Sequence, residues 1–259
     1  MGKKKIRLDK LVVERGLVAT RSKAQGVIMA GEVMVNGERV DKPGTAVPIE
    51  ADVELKTAMP FVSRGGYKLE GALADFEIDV NGRLCADVGA CTGGFTDVLL
   101  QNGAAKVIAI DVGYGQLDWN LRQNDRVIVM ERTNARYLES LPESVSFVCI
   151  DVSFISLKLI LPAVQKWLTP EADIVALIKP QFEAGPKQVG KGGIVKDTAV
   201  HQAVLLDILG WAVENNLGTQ GLIRSPVTGA GGNVEFLVWL KPGKGTVVGD
   251  TAVADLCTI

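Results

Sequence analysis

The residues best placed to do chemistry begin at Asp87. It ends a short apolar run and leads into a loop carrying Gly89, Gly93 and Gly94, after which a helix-like segment opens at Phe95. A strand, a glycine loop and a helix in that order let a ligand lie against bare backbone at a helix N-terminus. Twenty-four residues beyond Asp87, the apolar run Lys106-Val-Ile-Ala-Ile110 ends in Asp111. A carboxylate there can accept hydrogen bonds from both ribose hydroxyls of a nucleoside. Dinucleotide sites require G-x-G-x-x-G, whereas this loop reads G-x-x-x-G-G with an acid ahead of the first glycine. An acid there opposes a pyrophosphate and suits a cofactor with a cationic amino-acid end. S-adenosylmethionine meets that description and NAD does not.

More charge sits at the ends of later apolar runs. Asp151 follows Val145-Ser-Phe-Val-Cys-Ile150, Lys179 follows Asp173-Ile-Val-Ala-Leu-Ile178, and Glu235 stands near the start of the last apolar run. In open α/β sheets ligands bind outside the carboxyl ends of the parallel strands. If the last strand runs antiparallel, its beginning lies at that same edge. Lys68, on the helix before the glycine-loop strand, is the fourth charge that can converge there. A ribose 2′-hydroxyl is a poor nucleophile until it loses its proton, and a free lysine, with a pKa of about 10.4, is a poor base at neutral pH. Burial and a second nearby cation make the amine usable, and the carboxylates orient both amines. Methyl transfer from a sulfonium then mainly needs alignment.

These residues need a particular scaffold. Runs at 84–87, 106–110, 126–130, 145–150, 173–178, 219–225 and 233–240 alternate with helical segments, including 67–76 and 197–215. The runs are short and continuous, as a sheet buried on both faces requires. The expected fold is α/β and Rossmann-like, a seven-stranded mixed sheet with its last strand antiparallel.

Residues 7–31 read instead as two short helices, stopped at Gly16 and Gly31, with Thr20 or Ser22 as a cap. Glu32 to Val40 alternates around Asn36-Gly37, a hairpin signal, and Ala51-Asp-Val-Glu-Leu55 is a further strand. The domains expected are 1–56, a linker at 57–64, 65–242, and a patternless C-terminal tail at 243–259. The net charge of −2 hides an asymmetry. Residues 1–31 hold eight Lys/Arg against Asp9 and Glu14, a balance of +6, while residues 61–259 hold 17 basic and 22 acidic residues. A basic end on an acidic chain points to a polyanionic partner.

With 259 residues, 47% hydrophobic and 22% charged, the composition excludes disorder. No apolar run reaches the roughly 18 residues of a membrane span, and the basic N-terminus lacks the apolar core of a secretory signal. The expected location is cytoplasmic. Four single cysteines, Cys85, Cys91, Cys149 and Cys257, read as reduced buried thiols, and the lone His201 excludes a structural zinc site. No metal is expected.

The first 50 or so residues are similar to the S4 RNA-binding domain, through Arg7-Leu-Asp9, Arg21 to Ile28 and Gly31-Glu-Val-Met-Val-Asn-Gly37. That resemblance implies that Arg7, Lys10, Arg21 and Lys23 bind RNA phosphates, which position without reading sequence. Lys68, Asp151, Lys179 and Glu235 match the K-D-K-E tetrad of FtsJ-like ribose 2′-O-methyltransferases. With Phe-Val-Ser-Arg-Gly-Gly-Tyr-Lys68, Asp87-Val-Gly-Ala-Cys-Thr-Gly-Gly-Phe-Thr-Asp97, Lys179-Pro-Gln-Phe-Glu183 and Gly-Asn-Val-Glu235-Phe, the chain resembles the TlyA family from about residue 6 to 241. The family is often labelled hemolysin A. The resemblance implies S-adenosylmethionine-dependent 2′-O-methylation of cytidine in ribosomal RNA, with ribosomal subunits as partners and an effect on capreomycin-type antibiotic sensitivity. It implies Lys68, Asp151, Lys179 and Glu235 as catalytic. Asp87, Gly89, Gly93, Gly94, Phe95, Asp111 and Asp151 are expected to hold the cofactor, and the resemblance adds Asn134 near the adenine. One departure is Cys91, where relatives often carry Ser.

Other methyltransferases leave different marks. Base N-methylation wants Asp/Asn-Pro-Pro-aromatic where Asp151-Val-Ser-Phe154 stands, and C5-methylation wants a nucleophilic cysteine that Lys179-Pro-Gln181 lacks. The remaining alternatives are a membrane-active hemolysin, for which no amphipathic segment is long enough, and a catalytically inactive ribosome-binding factor.

Overall fold

The computed structural model describes residues 4–55, 60–243 and 249–258, and the chain divides into two units, Met1–Pro60 and Phe61–Ile259. The first unit opens on a strand that the sequence pattern does not reveal, β1 (Lys5–Arg7). It pairs antiparallel with β4 (Ala46–Pro48), Ile6 lying opposite Val47. Helices α1 (Leu8–Glu14) and α2 (Arg21–Met29) follow, the second capped by the Thr20 hydroxyl on the Lys23 amide. Strands β2 (Val33–Val35) and β3 (Glu38–Arg39) form the expected hairpin. Asn36 and Gly37 both take the left-handed conformation that a two-residue hairpin turn demands. β5 (Val53–Leu55) completes a sheet of order β3-β2-β5. Leu8, Leu11, Val12, Ala24, Ile28, Val33, Val47 and Val53 make one small core.

The second unit runs α3 (Gly66–Asp75), β6 (Leu84–Val88), α4 (Gly94–Gln101), β7 (Lys106–Ile110), α5 (Trp119–Arg122), β8 (Val127–Met130) and β9 (Val145–Ile150). It continues through α6 (Leu157–Val164), β10 (Leu168–Ile178), α7 (Pro180–Glu183), α8 (Thr198–Glu214), β11 (Leu217–Arg224), β12 (Phe236–Pro242) and α9 (Asp250–Cys257). Its seven strands lie in the order β11-β12-β10-β9-β6-β7-β8, with β12 antiparallel to both neighbours and the other pairs parallel. This is the mixed sheet expected, last strand reversed.

Period-two alternation splits each strand between two cores. Ala86, Val88, Ile108, Ile110, Val148 and Ile150 join the side of α6 and α8, while Cys85, Val107, Ala109, Phe147 and Cys149 join the side of α3 and α4. Burial on both faces is why these runs carry no polar alternation. It also pushes the Cys85 thiol up to about 12 and Cys149 well above its ordinary value, so neither is a nucleophile.

Three expectations are corrected here. Phe61 is buried against Tyr67, and the Val62 amide donates to Asp97, so 61–64 belongs to the second unit instead of a linker; residues 57–59 lie outside those described. Asp250–Cys257 is a helix with Val253 fully buried against α8 and β11, not a patternless tail. Cys91 is exposed, unlike the other three thiols. His201 is buried with Nε2 3.0 Å from the Val195 carbonyl oxygen. Among the described residues no helix is long and apolar enough to cross a membrane, and no group of His, Cys, Asp and Glu could hold a metal.

Candidate active site

Strand register brings the charged residues to one edge. Val88 lies opposite Ile110 and Ile150, and Ile178 lies opposite Phe236. The next residue along each parallel strand, and the one before the reversed strand, are therefore Gly89, Asp111, Asp151, Lys179 and Glu235. The reversal of β12 is what carries Glu235 there; a parallel last strand would have sent it to the opposite edge.

Lys68, on the first turns of α3, donates to Glu235 Oε2 at 2.6 Å and stands 4.0 Å from Asp151 Oδ2. Lys179 pairs with Asp151 Oδ1 at 2.5 Å and donates to Ser153 Oγ at 2.9 Å. All four side chains thus form one chain of contacts in which Asp151 is shared by both lysines. Lys68, Lys179 and Glu235 are buried, while Asp151 keeps an open side. Two residues outside the sequence expectations complete the cluster. Ser153 holds Lys179, and Gln181 donates Nε2 to Glu235 Oε1 at 3.1 Å. Gln181 lies inside the Lys179-Pro-Gln-Phe-Glu183 motif that carries the resemblance and Ser153 inside Asp151-Val-Ser-Phe154, and their polarity beside strand ends was the available signal. A Cβ on Gly229 would collide with Glu235 Oε1, so the loop before β12 can pass over the carboxylate only because that residue is glycine.

Beside the cluster lies a cleft of about 510 Å³, with Val88, Ile110, Ala135 and Ile160 among its apolar walls and Asp111, Asn134 and Asp151 at its polar positions. Asp111 Oδ2 accepts from the Cys91 amide at 2.8 Å and Oδ1 from the Gly113 amide at 2.7 Å. Each carboxylate oxygen keeps a further lone pair for a ligand hydroxyl. Asn134 caps the turn at Ala135–Tyr137 by accepting from the Arg136 amide.

A smaller cavity of about 130 Å³ adjoins it, lined by Ser63, Asp87, Gly89, Gly94, Phe95 and Asp151 among others. Asp87 is fully buried. Its Oδ2 accepts from the Thr96 amide and hydroxyl at 2.8 and 2.7 Å, while Oδ1 has no hydrogen-bond partner among the described residues. Burial, with the nearby Asp151 charge adding to it, raises Asp87 to about 7 despite the Thr96 bonds. An orphaned carboxylate oxygen beside a cavity is the feature expected of a seat for a cation.

The glycines do more than leave room for a ligand. A Cβ on Gly89 would meet the Asp151 carbonyl oxygen at 2.5 Å, one on Gly93 would collide with Leu121, and one on Gly94 would collide with the Ser63 hydroxyl. All three permit protein segments to close on the loop. Gly89 and Gly94 also line the cavity; Gly93 takes a left-handed φ of 95° to start α4. Phe95 borders the cavity while its ring packs into the core.

In the first unit, Lys10 and Lys23 are exposed. Arg7 and Arg21 are half-exposed, and both bind the buried Asp9.

A glycine-looped parallel sheet with one reversed strand and a charged cluster at its ligand edge defines an α/β group-transfer enzyme of the Rossmann-like methyltransferase class. The chain belongs to the FtsJ-like methyltransferase family, which matches residues 61–242, and residues 6–53 match the S4 domain. It is 50% identical to YqxC of Bacillus subtilis, over 95% of this chain and 89% of the relative. It is 47% identical to the 16S/23S rRNA (cytidine-2′-O)-methyltransferase TlyA of Mycobacterium tuberculosis, over 92% of this chain and 90% of that one. Among solved structures, a hemolysin-named protein of Streptococcus thermophilus superposes with a TM-score of 0.76 at 46% identity, covering 99% of this chain and 95% of that one.

Proposed function

We propose that this protein transfers a methyl group from S-adenosylmethionine to the 2′-hydroxyl of cytidine in ribosomal RNA. The observation that carries the reading is the contact chain Glu235–Lys68–Asp151–Lys179, buried at the same sheet edge as the glycine loop and the two cavities. The name of the Mycobacterium tuberculosis relative supports the substrate.

The chain's own residues fit the cofactor. Asp87 Oδ1 and the Gly89–Gly94 loop would hold the cationic methionine end, Asp111 the ribose, and the apolar cleft with Asn134 the adenine. Bound there, the sulfonium supplies an electrophilic methyl group. Lys179 orients the 2′-hydroxyl and takes its proton. Asp151 sets the amine in place and, with Glu235, keeps a cluster containing two lysines near neutrality. Lys68 bridges the two carboxylates. Lys10 and Lys23, with Arg7 and Arg21, anchor RNA phosphates on the first unit.

The test is methylation of unmodified ribosomal subunits with labelled S-adenosylmethionine, followed by mapping of the modified nucleotide. Label on a cytidine 2′-oxygen is the expected result. Label on a base, or tight subunit binding without transfer, overturns it. Loss of this activity is expected to alter sensitivity to capreomycin-type antibiotics. A red-cell lysis assay on the Lys179→Ala protein separates methylation from the hemolysin reading.

A further inference from the structure

Asp9 is a charged residue with no exposed surface, in a unit whose exterior is basic. It takes four hydrogen bonds. Arg7 Nε donates to Oδ1 at 3.0 Å and its Nη2 to Oδ2 at 2.9 Å, a bidentate fork; Arg21 Nε donates to Oδ2 at 3.0 Å and Gln25 Nε2 to Oδ2 at 3.2 Å. The donors come from the end of β1 and from α2, so one carboxylate ties two elements together. Stability alone would be served by burying these partners too. Instead Arg7 and Arg21 keep 48% and 51% of their side-chain surface exposed, and their Nη1 ends take part in none of the four bonds. The Pro43-Gly44 turn flanks the Arg7 guanidinium, and a Cβ on Gly44 would come within 3.4 Å of Arg7 Nη1.

We propose that Asp9 is a positioning residue for RNA, holding the Arg7 and Arg21 guanidinium groups as a preformed two-pronged clamp for backbone phosphate. This rests on the reading that the first unit anchors ribosomal RNA. A free arginine loses side-chain freedom when it engages a ligand, and an arginine already pinned through Nε and Nη2 has lost it on folding. Arginine suits the task because its planar fork has donors left over after one carboxylate is bound.

The sign of one substitution separates this role from a simpler one. Asp9→Asn removes a negative charge from a basic face. If the arginines acted only as charges, binding to a polyanion would tighten. If Asp9 positions them, binding weakens, by about five- to tenfold for two arginines that must now be ordered on contact. The experiment measures the affinity of the full-length protein for unmodified ribosomal subunits against salt concentration, with methylation kinetics in parallel. Wild type, Asp9→Asn, Arg7→Ala/Arg21→Ala and the triple variant are compared. The expected result is weaker binding and a raised KM for Asp9→Asn at unchanged kcat, with no further loss when Asp9→Asn is added to the double-alanine protein. A second variant, Arg7→Lys/Arg21→Lys, keeps both charges but loses the fork, and should bind more weakly with an unchanged salt slope. Should Asp9→Asn unfold the first unit, this lysine pair decides alone. Wild-type affinity for Asp9→Asn or for the lysine pair, or additive losses in the triple variant, overturns the proposal while leaving the methylation reading intact. A wild-type chain that neither binds nor methylates subunits overturns both.

Discussion

Replacing Asp87 by Asn tests the most unusual electrostatic feature of the second unit. The wild-type carboxyl is buried with one oxygen unpartnered, and burial raises it from an ordinary 3.8 to about 7. Between those two pH values the folded protein keeps a proton that the unfolded chain has released. Stability contributed by the neutral acid is therefore complete below about pH 4 and falls as pH rises toward 7. One proton's difference corresponds to about 1.36 kcal/mol per pH unit and shrinks as the folded group itself ionises near pH 7, so from pH 5 to pH 7 wild type should lose about 2 kcal/mol through this group. Asparagine is close in shape and does not titrate. Its oxygen can keep the Thr96 bonds while its amide, unpaired where Oδ1 was, costs about 1–3 kcal/mol at every pH.

The assay is urea unfolding followed by tryptophan fluorescence at pH 5, 6, 7 and 8. Trp119, Trp167, Trp211 and Trp239 all lie in the second unit, so the signal reports on it alone. Other titrating groups cancel in the difference between the two proteins. The difference should shift in favour of Asn by about 2 kcal/mol between pH 5 and pH 7, then level off. Two stability curves that run parallel from pH 5 to pH 8 would refute the reasoning. S-adenosylmethionine titrations extend the test: affinity should rise with pH for wild type as the carboxylate ionises, and be weaker and flat for Asp87→Asn.

Asp111→Ala removes a charge-assisted partner, typically worth about 1.5–3 kcal/mol, so S-adenosylmethionine should bind at least about tenfold more weakly by calorimetry. Lys179→Ala should lose about 10²–10⁴-fold in single-turnover methylation while still binding cofactor. Lys179→Arg should be nearly as poor, because guanidinium keeps its proton; a near wild-type rate for it would leave Lys179 only a positioning role. Arg21→Ala/Lys23→Ala should weaken subunit binding and flatten its log–log salt slope by about 0.9 for each duplex phosphate no longer neutralised, with cofactor affinity unchanged. Val253→Asp places an unpaired charge in the core beneath α9 and should cost the second unit about 3 kcal/mol or more in urea unfolding.

The central strands of the second unit were legible because they are buried on both faces, which writes itself as a nearly continuous apolar run, whereas the edge strands β8 and β11 are only partly buried. The polar residue that ends each run marked the ligand edge for the same reason: apart from Asp87 and the ion-paired Asp173, charge is tolerated only where the strand leaves the core. The hairpin at Asn36-Gly37 was equally plain, since few other pairs accept two left-handed residues. Long-range pairing left no such mark. β1 and β4 are three residues each and exist only because they face one another across some 40 residues of chain. Helix α9 follows a stretch with no clear pattern and is held by Val253 and Cys257 against α8 and β11, a contact no local window contains. Composition could say that Lys68, Asp151, Lys179 and Glu235 were candidates for one cluster. Which lysine pairs with which carboxylate depends on the reversal of β12 and on Gly229 making room for Glu235. The glycine spacing identified a loop that approaches something closely, but not that the Asp151 carbonyl, Leu121 and Ser63 are what it approaches. Asp9 is the clearest case. In sequence it is one acid diluting a basic segment, and only folding, by bringing Arg7, Arg21 and Gln25 onto its two oxygens, makes it the centre of that surface.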